Sequence, residues 1–258
     1  MKLIPLTCGS ILLEDSFLTP GHGTGLSERA AVAMFLVEHP RGLVLIDTGN
    51  HPDVARNAAA YWGRDTAEWI KPEMRPEDSV DRQIARLGYS ASAITDVVLT
   101  HLHLDHAGGM CLFPHAKFHI QRDELVAAMW PDPRFDEGWY EFKDFAASRR
   151  FDINALDGDS DVFGDGAIQL IKTGGHAAGH QMVLLELPQT GRVLLPGDAA
   201  FTPRQLDLMC PPGDPLPQPE AALDAVRRVA AMREDGVRIV YSHPSMEDWK
   251  NTYRAILE

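Results

Sequence analysis

Cysteine is scarce: Cys8, Cys111 and Cys210 are the only three in 258 residues. An odd number at wide spacing builds neither a disulfide scaffold nor a paired-cysteine zinc site, and a reducing cytoplasm is the expected setting. Positive charge is also in deficit, with 24 Lys and Arg against 37 Asp and Glu, a net −13 at pH 7. That sign is wrong for a protein that must displace counterions from a phosphate backbone, so nucleic acid is excluded as an expected partner. No run approaches the roughly 20 apolar residues of a membrane helix. The opening MKLIPLTCGSILLEDS carries Pro5 and early acids where an export signal would have a clean apolar stretch. It is therefore read as mature protein, with no membrane partner expected. Linkers rich in Ser and Gly, low-complexity tracts and strong internal repeats are missing too, so residues 1–258 are expected to form a single domain.

What is present is a series of short apolar runs bounded by Gly or Pro, at 31–38, 42–49, 96–101, 117–120, 167–173, 182–187, 192–198 and 237–243. Their length and β-branched content predict strands. Helical periodicity lies between them at 53–62, 78–87, 122–130, 218–235 and 246–257, several segments opening on Asp, Ser or Pro. Alternation of the two predicts an α/β fold. Two segments, 61–77 and 199–219, fit neither pattern; long ordered loops of this kind commonly wall or cover a site.

The chemistry concentrates in THLHLDHAGG at 100–109, directly after a predicted strand. His101, His103, Asp105 and His106 are four ligand-type side chains within six residues, and a turn lets them converge where a regular helix would not. Imidazole with carboxylate suits zinc; mixed nitrogen and oxygen sites also suit iron, manganese or cobalt. Three further candidates, His176, Asp198 and His243, each stand where an apolar run hands over to a loop, the position at which α/β folds assemble sites.

The order HLHLDH, then His176, Asp198 and His243, with IDTG at 46–49 ahead of them, resembles the metallo-β-lactamase superfamily over essentially the whole chain. The resemblance implies a four-layered αββα sandwich, two mixed β-sheets flanked by helices, with a dinuclear site along one edge. It implies that His101, His103 and His176 hold one Zn2+, that Asp105, His106 and His243 hold a second, and that Asp198 bridges them. It also implies a small-molecule substrate with a carbonyl attacked by a metal-bridging hydroxide. Asp105 and Asp198 are then the catalytic carboxylates, Asp105 as a proton carrier to the leaving oxygen. Asp47 either caps its turn or accepts from a ligand histidine, and His180 supports the metal loop from behind.

Within the superfamily the chain is similar to the N-acyl homoserine lactonases and the pyridoxolactone-opening enzymes, on the helix 79–88, FPHAKFHIQRDE at 113–124, the 173–181 segment, GDAAFT at 197–202 and the stretch 241–254. The implied activity is opening of a lactone, an N-acyl homoserine lactone (quorum quenching) or another small lactone. The alternative is a related hydrolase of an ester, thioester, cyclic amide or β-lactam. Thioesterase relatives carry a further glutathione-binding domain, whereas only 60 residues follow Asp198 here. Two positions depart from the lactonases: Phe201 stands where they have a tyrosine donor, and Ser242-His243-Pro244 where they commonly have Gly-His-Asp. Phe201, Trp69 and His22, the last in a glycine-rich loop able to reach over the site, are the expected substrate-pocket residues. Cys111 is expected to be a buried thiol, and homodimer formation is left open.

Overall fold

The computed structural model describes residues 1–134, 139–211, 213 and 216–258. Strands β1 (Lys2–Glu14), β2 (Ser27–His39), β3 (Gly42–Ile46), β4 (Ile94–Val98), β5 (Lys117–Gln121) and β6 (Asp152–Leu156) form one sheet in that order. Strands β7 (Ser160–Asp161), β8 (Ile168–Lys172), β9 (Gln181–Leu187), β10 (Gly191–Leu195) and β11 (Arg238–Ile239) form the other, ordered β11-β10-β9-β8-β7. Both are mixed: β3 to β6 run parallel beside the antiparallel β1 and β2, and β10 pairs parallel with β11.

The two-residue period of the strands builds the layers. Ala31, Ala33, Phe35 and Val37 of β2 join Val183, Leu185 and Leu187 of β9 in a core between the sheets. The alternate residues Ala30, Val32, Met34 and Leu36 face the outer core. That outer layer packs against α1 (Asp15–Leu18), α2 (Val54–Trp62), α3 (Arg64–Ile70), α4 (Val80–Arg86), α5 (Arg122–Met129) and α6 (Phe142–Phe145). On the far side, Met182, Leu184 and Leu194 pack against α7 (Pro203–Leu208) and α8 (Pro219–Glu234). Ala222, Ala225, Val226, Val229 and Ala230 of α8 are buried at helical spacing. Each of its valines contributes roughly 1.5–3 kcal/mol of transfer free energy there. A last short helix, α9 (Met246–Asp248), continues as a wide turn through Tyr253. Helix, sheet, sheet, helix is the layering that the resemblance implies.

Several boundaries differ from the sequence reading. Strand β1 was not among the expected strands; it contains Pro5, and as the outermost strand of its sheet it tolerates a residue with no N–H. Strand β11 is only two residues long because the chain beyond it turns to carry His243 inward. The segment 61–77 holds α3 and 199–219 holds α7, while Pro212, Asp214 and Pro215 lie outside the described residues. Cys111 is exposed, a correction to its expected burial, since the turn at Met110–Leu112 buries Met110 in its place. No helix among the described residues is long and apolar enough to cross a membrane.

Because β3, β4, β8 and β10 point the same way relative to their loops, their C-terminal ends share one edge of the sandwich. The loops leaving β3, β4, β8, β10 and β11 carry Asp47, His101 to His106, His176, Asp198 and His243 respectively.

Candidate metal centre

The loop 100–109 lies directly on the loop after β3. A Cβ on Gly108 would run into the backbone of Asn50 and His51, and one on Gly109 would come within 2.6 Å of Thr48 O. This close approach pushes the intervening side chains inward. His101, His103, Asp105, His106, His176, Asp198 and His243 are all under 9% exposed, and they form three overlapping groups whose ligand atoms lie within 4.8 Å of one another. The groups are His101, His103 and His176; His101, His106 and Asp198; and Asp105, His106 and His243. Asp198 stands between them. Its Oδ2 faces His176 Nε2 at 3.4 Å and His101 Nε2 at 3.7 Å, while its Oδ1 faces His106 Nε2 at 3.3 Å and His243 Nε2 at 3.4 Å.

Outer hydrogen bonds fix which histidine nitrogens carry protons. Asp47 Oδ2 takes His106 Nδ1–H at 2.8 Å, and the Ala31 carbonyl takes His243 Nδ1–H at 2.8 Å. The hydroxyl of Thr100 has one hydrogen, directed at the Asp47 carboxylate 2.9 Å away, so toward His101 Nδ1 at 3.0 Å it is an acceptor. In their neutral forms His101, His106 and His243 therefore present Nε2 lone pairs inward. His106 Nε2 and His243 Nε2 stand 3.3 Å apart, His176 Nε2 and His103 Nδ1 3.2 Å apart, and His101 Nε2 is buried with no hydrogen-bond partner. Converging lone pairs and carboxylate oxygens repel one another unless cations lie among them, so the donor set fits a dinuclear metal site.

Electrostatics divide the histidines into two sets. Burial, with the neighbouring imidazoles, holds His101 and His103 well below the ordinary histidine range, and burial lowers His176, which keeps all three neutral as ligands must be. Burial also opposes charge on His106 and His243, yet the carboxylates of Asp198 and Asp105, with Asp47 beside His106, outweigh it and hold both up. Against its own burial, Asp198 is held well below the usual carboxylate range by His106 and His243.

Of the remaining expected residues, Asp47 accepts from Thr100 N–H at 2.8 Å and sits at φ 56°, a left-handed conformation held by these contacts. His180 Nε2 accepts the backbone N–H of Asp198 at 3.0 Å, and its Nδ1–H donates to Thr173 Oγ1 at 2.7 Å. Burial and the adjacent His176 push His180 down to about 3, so it remains neutral. Gly197, at φ 53°, has no room for a Cβ, which would lie 2.7 Å from His180 Nε2. Phe201 packs edge-on to His243, with ring centroids 4.9 Å apart. Trp69 does not reach the histidines; it packs against Phe17 and Trp139, and Trp139 lies 5.6 Å from the ring of His103. His22 is not at the cluster. Arg204 ties its loop back, bonding Asp15 at 2.8 Å and the His22 carbonyl at 2.9 Å, and His22 borders a separate cavity with Met209 and Cys210.

One residue escaped the sequence reading. Glu124, at the start of α5, is fully buried, and its oxygens accept Leu102 N–H at 2.8 Å, Gly179 N–H at 2.8 Å and Tyr140 O–H at 3.0 Å. It thereby joins the loop of His101 and His103 to that of His176. Its only signal was an acid in the helix's first turn, which reads equally well as a favourable helix-dipole charge.

Two spaces adjoin the cluster. Phe17, Trp139 and Phe201 cap one of about 10 Å³ over Asp105 and Asp198, room for about one water. The other, about 150 Å³, opens beside His103 and His176 and is walled by Phe17, Trp130, Trp139 and Leu216.

An αββα sandwich with a two-centre histidine and aspartate cluster on its strand-end edge defines a class of metal-dependent hydrolases. The chain belongs to the metallo-beta-lactamase superfamily, whose family model matches residues 28–244. It is 34% identical over 250 residues to the N-acyl homoserine lactonase AttM of Azorhizobium caulinodans, covering 94% of this chain and 93% of that protein. It is 28% identical to the N-acyl homoserine lactonase AiiA of Bacillus thuringiensis subsp. kurstaki, over 97% and 95% of the two chains. A crystal structure of a B. thuringiensis AiiA variant with N-decanoyl-L-homoserine at its active site superposes with a TM-score of 0.84 at 27% identity, covering 97% of this chain and 95% of that one.

Replacing Glu124 with Gln sets an amide N–H against a backbone N–H. We expect Glu124→Gln to lower stability by about 1–3 kcal/mol in denaturant unfolding, and Tyr140→Phe by about 0.5–1.5 kcal/mol. An unchanged Glu124→Gln midpoint contradicts the bridging role.

Proposed function

We propose that the chain is a dinuclear zinc hydrolase that opens the lactone ring of N-acyl homoserine lactones. The observation that carries this reading is the division of the two Asp198 oxygens between His101 and His176 on one side and His106 and His243 on the other. The similarity to AttM along nearly the full chain supports the substrate class. We assign His101, His103 and His176 to one Zn2+, Asp105, His106 and His243 to the other, and Asp198 to both. Bound there, the ions supply Lewis acidity, lowering the pKa of a water and polarising an ester carbonyl.

The chain's own groups do the rest. Asp47, the Ala31 carbonyl and Thr100 hold three imidazoles in the tautomer that presents Nε2 inward. Asp105 faces the small space over the cluster, with Oδ2 3.4 Å from His243 Nε2, and can carry a proton on a carboxylate oxygen from the attacking water to the departing ring oxygen. Water adds to the carbonyl carbon, the ring C–O bond breaks, and one proton passes to the alkoxide, giving the N-acyl homoserine. Phe17, Trp139 and Phe201 limit bulk water over the reacting atoms. The apolar cavity beside His103 offers the substrate's acyl arm a surface. Phe201 has no hydrogen to donate to an oxyanion. We read residues 1–258 as one domain, and the three unpaired cysteines favour a reducing, cytoplasmic setting.

Release of acid from a panel of N-acyl homoserine lactones, simple esters, thioesters, cyclic amides and a β-lactam tests the reading. Lactones should turn over fastest, and His103→Ala should reduce that turnover by at least about 100-fold, a barrier increase of about 2.7 kcal/mol. Activity on thioesters or amides with none on lactones rejects the substrate class and favours the related carbonyl hydrolases. In the same assay Phe201→Tyr should raise lactone turnover if a missing donor limits the rate; one oxyanion-hole donor is worth up to about 2.7–4 kcal/mol. An unchanged rate shows that the remaining groups already stabilise the oxyanion fully.

A further inference from the structure

One buried hydroxyl against the cluster has no part in the chemistry described above. Ser242 is 2% exposed, and its Oγ lies 2.9 Å from Asp198 Oδ1 and 3.0 Å from the Gly197 carbonyl oxygen. The single hydroxyl hydrogen has two acceptors within reach, and it goes to Oδ1, where the ionised acceptor makes the stronger bond. The serine cannot drift. Its carbonyl accepts Ala33 N–H at 3.1 Å, the Pro244 carbonyl accepts Ala31 N–H at 2.8 Å, and His243 Nδ1–H returns to the Ala31 carbonyl at 2.8 Å. Residues 242–244 are thus strapped along β2, and the hydroxyl is presented from a fixed backbone.

Oδ1 is the oxygen that faces His106 and His243, whereas Oδ2 faces His101 and His176. A carboxylate can turn about its terminal bond, so the angle at which it presents an oxygen to each side is set by what those oxygens touch. Asp198 is held through its backbone by His180, which does not touch the carboxylate. Ser242 does touch it, and only at one oxygen.

We propose that Ser242 is a positioning residue that anchors the Asp198 carboxylate through the one oxygen on the side of Asp105, His106 and His243. The inference rests on the dinuclear reading of the site. Its consequence is selective: removing the hydroxyl weakens metal binding on that side and leaves the His101, His103 and His176 side alone. Losing an outer hydrogen bond of this kind commonly costs about 10–100-fold in metal affinity.

The test is chelator competition with Zn2+ on the full chain, measuring two dissociation constants for wild type, Ser242→Ala and Ser242→Thr. Circular dichroism and melting of the metal-free forms establish that each variant folds. The expected result is that Ser242→Ala weakens one of the two constants by about 10–100-fold. Ser242→Thr, which keeps the hydroxyl, should stay within about threefold of wild type, a difference under 1 kcal/mol. In a His243→Ala background, which removes a ligand from the affected side, Ser242→Ala should no longer change the remaining constant. Unchanged constants in Ser242→Ala, or equal weakening of both, overturn the inference while leaving the dinuclear reading intact. A wild-type chain that binds no Zn2+ overturns the dinuclear reading itself.

Discussion

A buried carboxylate between two sets of imidazoles is the constraint on which the rest of this site depends. Asp198 is 3% exposed, and an isolated charge at that depth would be strongly disfavoured. Part of what compensates it is a shell of hydrogen bonds around the cluster. His180 accepts the Asp198 backbone N–H, and Thr173 accepts from the opposite nitrogen of His180. On the other side Asp47 engages both His106 and Thr100, and Thr100 in turn accepts from His101. These contacts come from loops that leave four different strands of the two sheets, so the cluster can form only once both sheets have packed. Removal of any one contact leaves buried partners without their bonds, which costs more than the same contact would at the surface.

The part of this arrangement legible in the sequence was the part encoded over short spans. HLHLDH places four ligand-type side chains within one turn, and the two glycines after it mark the close approach of two backbones. Short apolar runs and the helical spacing at 218–235 marked the α/β alternation, and the layers followed from the resemblance. What the sequence concealed was contact across long separations. Glu124 is more than 20 residues from Leu102 and more than 50 from Gly179, and its carboxylate joins them only because α5 starts beside both loops. Ser242 read as a departure from the lactonase pattern, with no indication of which oxygen it would meet. His22 was expected near the pocket from its glycine-rich setting, but Arg204 and Asp15 draw that loop aside. Strand β1 was also missed, and its tolerance of Pro5 depends on lying at a sheet edge, which is a property of the assembled sheet.

The aromatic cap separates this site from a bare metal cluster. Phe17, Trp139 and Trp69 pack with ring centroids 4.9–5.6 Å apart, and Phe17 extends the contact to Phe201 at 6.3 Å. The space beneath admits about one water, too small for a lactone ring, so these rings must shift as substrate reaches the metals. Phe201 thus closes the site in the position where a phenol would donate.

All of this rests on two cations occupying the two sides of Asp198. Titration of the metal-stripped chain with Zn2+, followed by direct metal analysis and thermal melting, tests that most directly. The account requires two equivalents per chain and a stabilisation of about 2.7 kcal/mol for each site whose dissociation constant free metal exceeds 100-fold, and it requires that changing His101 and His103 together to alanine remove at least one equivalent. Binding of no metal, or of the same two equivalents after both histidines are gone, would contradict it.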